Sequence, residues 1–240
     1  MIDIDDLQHL PDGLKSFNCL QELSISRCSK LESLSPGLNH LTSLLNLSIE
    51  ECPKLETLSP ALHHLTSLQQ IKISGCSKLE SISPCLNHLI SLQRLEIWSC
   101  NKLGMSNGGS DATIQWQRLE SLSVLILEGC SKLVALPQGI QQLTSLQEIQ
   151  IIECKNLEFV LECVINLKKL SIVDCPKLKS LPEWIGSLET LEIRKCPILL
   201  ERCRDDIGDY WPLICNINQL ILSPVEQEAS TGWVEKTHFS

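Results

Sequence analysis

The side chains best equipped for chemistry in this 240-residue chain are its 13 cysteines. Eight of them, Cys28, Cys52, Cys76, Cys100, Cys130, Cys154, Cys175 and Cys196, follow one another at steps of 24, 24, 24, 30, 24, 21 and 21 residues. A row of thiols has three chemical uses. Structural zinc needs ligands paired as CxxC or interleaved with histidine, and that spacing is missing around these eight. Redox work needs an exposed thiol made acidic by a nearby cation or helix end, which an even ladder does not provide. Disulfides belong to oxidising compartments, and the odd total points to free thiols. The remaining reading is structural: a small, mostly apolar side chain whose weak S–H donor reaches a backbone carbonyl. His40, His64 and His88 also share one phase and could form a metal or pH-sensing row. Their neighbours LxxLxS repeat with them, so inherited repeat sequence is the better explanation. Asn46-Leu47-Ser48 spells a glycosylation acceptor, which matters only in a secreted chain.

The elements that must position the thiols are written in the same period. Residues 20–43, LQELSISRCSKLESLSPGLNHLTS, recur as LLNLSIEECPKLETLSPALHHLTS and LQQIKISGCSKLESISPCLNHLIS. Around each cysteine the pattern is LxxLxIxxCxxL. The LxI step alternates as a strand does, with two aliphatics inward and the residues between them outward. Pro36, Pro60, Pro84, Pro137 and Pro182 then break that strand register and begin a return segment. One such coil cannot stand alone: about six aliphatics at about 1.5–3 kcal/mol each do not offset about 1–2 kcal/mol for each of some 24 ordered residues. Stacking on neighbours must decide the balance. The iterated pattern resembles the leucine-rich repeat. That resemblance implies an α/β repeat solenoid, a horseshoe with a concave parallel β-sheet and an irregular or short-helical convex side.

The period divides the chain. Residues 1–19 read as a partial, uncapped repeat whose Leu7, Leu10, Leu14 and Phe17 match Leu31, Leu34, Leu38 and Leu41, with Ile4 at the cysteine position and its strand missing. The expectation is a chain that starts within a repeat, as a fragment or truncated product would. Residues 20–199 read as a solenoid of about eight repeats, with a Gly- and Ser-rich insertion near 104–115 leaving it as a flexible loop. Residues 200–225 read as a closing segment, with Ile217, Leu220 and Leu222 as a last strand beneath Tyr210 and Trp211. Residues 226–240 lose periodicity and read as a flexible tail.

Charge narrows the partners. A net charge of −9 with no basic stripe argues against nucleic acid. No apolar run approaches the ~20 residues that cross a bilayer, and the acidic start MIDIDDLQHL lacks the layout of a secretory signal. The expectation is a cytoplasmic chain with no membrane contact, no metal and no cofactor.

Further motifs narrow the resemblance. "CPKL" at Cys52 and Cys175, "LPEWIGSL" at 181–188, and CPILLERC followed by GDYWPLI resemble the C-terminal leucine-rich repeats of plant nucleotide-binding immune receptors of the coiled-coil class. The likeness spans residues 7–222. It implies an intracellular, non-enzymatic protein-binding domain that recognises pathogen effectors or modified host proteins and restrains an upstream nucleotide-binding domain. No GxxxxGK[ST] loop occurs here, so nucleotide binding does not carry over. Two alternatives stand beside it. One is a scaffold or substrate receptor outside immunity, although no F-box segment is present. The other is a ubiquitin ligase, because Cys203-Arg204-Asp205 spells the CxD that some bacterial ligases use; the helical catalytic domain they need has no room.

A partner would meet the outward strand positions. Most are polar, but Trp98, Val124, Ile126, Ile152 and Val173 fall in successive coils, rimmed by Arg94, Glu96, Glu128 and Lys169. An apolar patch with a charged rim has the makeup of a protein-binding hot spot. Arg94, Glu96, Trp98, Val124, Ile126, Glu128, Ile152 and Val173 are therefore the candidate contact residues.

Overall fold

The computed structural model describes residues 1–34, 36–58, 60–82, 85–105, 115–205, 207–224 and 235–237. Each LxI step forms a five-residue strand: β1 (Glu22–Ser26), β2 (Asn46–Glu50), β3 (Gln70–Ser74), β4 (Arg94–Trp98), β5 (Val124–Glu128), β6 (Glu148–Ile152), β7 (Lys169–Val173), β8 (Thr190–Arg194) and β9 (Gln219–Ser223). They pair in chain order as one parallel sheet, every cysteine-aligned position facing its counterpart in the next coil. The second and fourth residues of each strand are buried. Those side chains join the leucines of the return segments in one core running from Leu10 to Leu222.

A turn ends each strand. Arg27, Glu51, Gly75, Ser99, Gly129, Glu153, Asp174 and Lys195, each just before a ladder cysteine, hold φ between 52° and 64°. This left-handed residue aims its N–H at the last carbonyl of the following strand, as in Arg27 to Glu50 at 2.9 Å, Ser99 to Glu128 at 2.8 Å and Lys195 to Ser223 at 2.9 Å. The bend that ends one coil thus fastens it to the next. Only two of the eight are glycine, although the conformation favours glycine. At Gly75 an added Cβ would meet Glu51 Cα at an ordinary 3.4 Å, so space is not what selects the residue.

The opposite side carries 3₁₀ turns at Asp12–Ser16, Pro36–His40, Pro60–His64, Cys85–His88, Trp116–Arg118, Gln138–Gln142 and Glu183–Ser187. Hydrogen-bonded strands stack at about 4.8 Å, and the sheet lines one side of the coils while these turns line the other. The two 21-residue coils are shortened differently. Between Cys154 and Cys175 no 3₁₀ turn forms among the described residues, and Asn166 (φ 68°) returns the chain to β7. Between Cys175 and Cys196 the turn stays, and the segment that follows it is cut, so Ser187 lies three residues before Thr190. Trp184 of LPEWIGSL closes the first gap, its indole N–H donating to Leu161 O at 3.0 Å.

The ends depart from the sequence reading. A trace of the missing first strand exists: Ile2 bridges Ile25, donating to Ser24 O at 2.7 Å and accepting from Ser26 N at 2.8 Å. Arg27 pairs with Asp3 and Lys30 with Asp6, both 24 residues apart, so the period extends back to residue 3. Phe17, matched in phase with the buried Leu41, is 55% exposed on the outer side of the first coil. The insertion is anchored at both edges: Met105, assigned to the loop by its sequence, is buried, as is Trp116. Residues 106–114 lie outside the described residues. At the other end the last coil becomes helical, α1 (Pro197–Arg202) and α2 (Trp211–Ile214), before β9. Arg202 organises this closure, donating to Lys179 O at 2.8 Å, pairing with Asp209 at 3.3 Å and lying 4.4 Å from the Tyr210 ring centroid. Within the stretch read as a flexible tail, Glu235–Thr237 forms β10, antiparallel to β9; 226–234 and 238–240 lie outside the described residues.

Candidate protein-binding face

Three ladders cross the open side of the sheet. The first runs Glu22, Asn46, Gln70, Arg94, Val124, Glu148, Lys169, Thr190, Gln219. The second runs from Ser24 through Ser48, Lys72, Glu96, Ile126, Gln150, Ser171 and Glu192 to Ile221, and the third from Ser26 through Glu50, Ser74, Trp98, Glu128, Ile152, Val173 and Arg194 to Ser223. Most of their charges are answered within the face. Lys72 pairs with Glu50 at 2.9 Å, Arg94 with Glu96, and Arg194 with Glu192 at 2.6 Å. The hydrogen bond from Lys72, then that from Ser48, holds the Glu50 carboxyl below the usual carboxylate range. Glu128 differs. Its carboxylate has no hydrogen-bond or ion-pair partner among the described residues, and burial, then the charge of Glu153, raises its pKa.

Of the five apolar residues expected to face a visitor, four do so in part: Trp98, Val124, Ile152 and Val173 are half-buried. Ile126 is not available. It is 4% exposed, closed in mid-sheet between Glu96 and Gln150 at the same level of the neighbouring strands, and it serves as floor. Trp98 lies beneath Lys72, whose Nζ stands 5.4 Å from the ring centroid. Its Nε1 is buried with no acceptor. Arg94 and Glu96, expected as free rim charges, neutralise each other instead. They also border a hollow of about 420 Å³ over β1–β4, shared with Met1, Ser24, Ser48 and Lys72. The outward residues of β1–β3 around this hollow are polar and gave no apolar signal in the sequence, and Ile221 was missed because β9 lacks a ladder cysteine.

The eight thiols form the expected aligned row, all fully buried. Each Sγ donates to the carbonyl two residues back, at distances from 3.2 Å in Cys196 to 3.6 Å in Cys130. Each cysteine carbonyl up to Cys175 accepts the N–H three residues on, so the residue closes the strand and opens the turn. Interaction with the neighbouring thiols, then burial, pushes Cys76, Cys130 and Cys175 up, while Cys100, Cys154 and Cys196 are moved down by the thiol next to them. No lysine or arginine figures among the groups that shift them. Cys203 of the CxD letters is buried, and burial pushes its pKa up to about 12, the direction opposite to that of an activated thiol. Among the described residues no group of three or more His, Cys, Asp or Glu is placed to hold a metal ion. His40, His64 and His88 are all exposed. His63, not His64, stacks on His88, with ring centroids 4.5 Å apart.

A sheet of cysteine-phased parallel strands backed by 3₁₀ turns defines a leucine-rich-repeat solenoid. Comparison with solved structures agrees. The leucine-rich repeat domain of the type III effector XopL matches 91% of this chain and 73% of its own length, with a TM-score of 0.67 at 22% identity. An internalin of Listeria monocytogenes matches 88% of this chain and 76% of its own at a TM-score of 0.36 and 12% identity, and TLR13, solved in complex with single-stranded RNA, matches 85% of this chain and 36% of its own at 0.47 and 16%. The first of these carries the argument, and at 22% identity it speaks for fold alone. No family model and no curated protein sequence matches the chain.

Proposed function

We propose that this chain is a non-enzymatic protein-recognition module, and that the protein it recognises docks across β4–β7. The observation that carries this is the run of half-buried apolar residues, Trp98, Val124, Ile152 and Val173, on strands whose other outward positions are mostly polar. Partly exposed aromatic and aliphatic side chains on a rigid sheet are low-entropy anchors for a protein surface. No helix among the described residues is long and apolar enough to cross a membrane.

The particular setting we propose is an intracellular plant immune receptor of the coiled-coil nucleotide-binding class, in the cytoplasm. The module would recognise a pathogen effector or a modified host protein and help to hold an upstream nucleotide-binding domain inactive. Support comes from the CPKL, LPEWIGSL and RC–GDYWP motifs. The last of these supplies the parts of the C-terminal closure, with Arg202 against Tyr210 and Lys179, and buried Cys203. Reading the transcript upstream of the codon for Met1 tests this. A nucleotide-binding domain in the same frame is the expected result; an F-box or secretion leader there would replace the proposal with a substrate receptor or an extracellular role.

A further inference from the structure

The contact face carries a single unanswered half-buried carboxylate, and its surroundings specify what would answer it. Glu128 stands in the third ladder between Trp98 on β4 and Ile152 on β6, each one strand away, about 4.8 Å to either side. Val173 extends the apolar wall beyond Ile152. Ile126 lies below on the same strand, and the left-handed residue Gly129 follows Glu128. Other cations of the face are engaged: Arg94 on the adjoining β4 by Glu96, Lys72 on β3 by Glu50 and Arg194 on β8 by Glu192. At the rim Lys155 is engaged by Asp174. Lys169 belongs to another ladder and lies two strands away.

Resting on the proposal that this face binds protein, we infer that Glu128 receives an arginine of the partner, flanked in the partner's sequence by an aliphatic residue that lies on Ile152 and Val173. A guanidinium fits for three reasons. It is planar and can lie over Glu128 between the Trp98 indole and the Ile152 side chain while bonding the carboxylate with two N–H groups. It is weakly hydrated, so the apolar walls cost it little desolvation. Its charge is what Glu128, crowded by Glu153, lacks. Lysine would offer a point charge with a tightly held hydration shell, and an acidic or purely apolar segment would leave Glu128 buried and unpaired, a costly arrangement.

The test uses random dodecapeptides displayed on phage, selected against the full chain, with single peptides then titrated against wild type, Glu128→Gln, Glu128→Arg and Trp98→Ala, each checked for native circular dichroism. The expected binders carry arginine beside Val, Leu or Ile, lose at least tenfold in affinity on Glu128→Gln, and bind Glu128→Arg again when their arginine becomes glutamate. Binders that lose affinity on Trp98→Ala yet carry no cation, or ignore Glu128→Gln, overturn the arginine inference and leave the docking face standing. Binders indifferent to both Trp98→Ala and Glu128→Gln, or the absence of any binder, overturn both.

Discussion

Leu95→Ala measures how far stability resides between coils and not within them. Leu95 is fully buried on β4, with Ile71 and Leu125 at the same level on the strands to either side. Removing three carbons there takes packing from two coil interfaces at once, and the neighbours, held in hydrogen-bonded register, cannot collapse into the space. The cost is expected near the middle of the range for buried Leu→Ala, about 3–4 kcal/mol. Leu23 on β1 holds the same place one end along, with Leu47 on one side and only the single Ile2 bridge beyond. Leu23→Ala should therefore cost about half as much, about 1.5–2 kcal/mol. Urea unfolding followed by circular dichroism reads both. Leu95→Ala should also lower the apparent m value, because an interrupted array loses cooperativity between its two halves. Equal losses for the two variants, or a larger one for Leu23→Ala, would refute the claim that neighbouring coils supply the stability.

Three other substitutions address separate parts of the molecule. Gly208→Ala should disrupt the C-terminal closure at a cost above about 2 kcal/mol, because its Cβ would collide with the Arg202 carbonyl oxygen; Gly13→Ala, with nothing within 4 Å, should be near neutral in the same melting assay. Trp98→Ala should cost no more than about 1.5 kcal/mol, since it removes a half-buried ring with an unsatisfied N–H and one Lys72 contact, whereas Trp116→Ala, at 1% exposure, should cost about 3–5 kcal/mol. His63 is held neutral by burial, then by His88 and His64, so its folded pKa lies below 6.5. The unfolded chain therefore takes up that proton first, and stability should be complete above about pH 6.5 and decline as pH falls below it. His63→Gln should flatten that decline in melts taken between pH 7.5 and 5, and an unchanged slope would assign the pH dependence to other groups.

Much of the fold was legible because one spacing encodes it. Leu and Ile at fixed distances before each cysteine name the buried side of every strand, and equal steps between cysteines dictate in-register stacking, so the three outward ladders could be written from residue numbers alone. What escaped the sequence depends on neighbours in space. Ile126 sits at an outward position and is nonetheless buried, in mid-sheet between Glu96 and Gln150 of the neighbouring strands. Arg94 and Glu96 read as rim charges until their pairing is seen. His63 and His88 are 25 residues apart, one off the repeat, so matching by phase selected His64 instead. The left-handed turn before each cysteine left no consistent trace, since Arg, Glu, Ser, Asp and Lys hold it as well as Gly. Glu128 was marked as a rim charge, but its lack of a partner was not legible: a carboxylate without a partner is a property of the surrounding side chains.

The register of the thiols underlies both the core and the contact face, and alkylation of the native chain with iodoacetamide, mapped by mass spectrometry, tests it directly. Exposed Cys19 and Cys163 should be modified quickly, and Cys28, Cys52, Cys76, Cys100, Cys130, Cys154, Cys175 and Cys196 only once urea unfolds the chain. Modification of several ladder cysteines at the rate of Cys19 under native conditions would contradict the stacked arrangement, and the binding face with it.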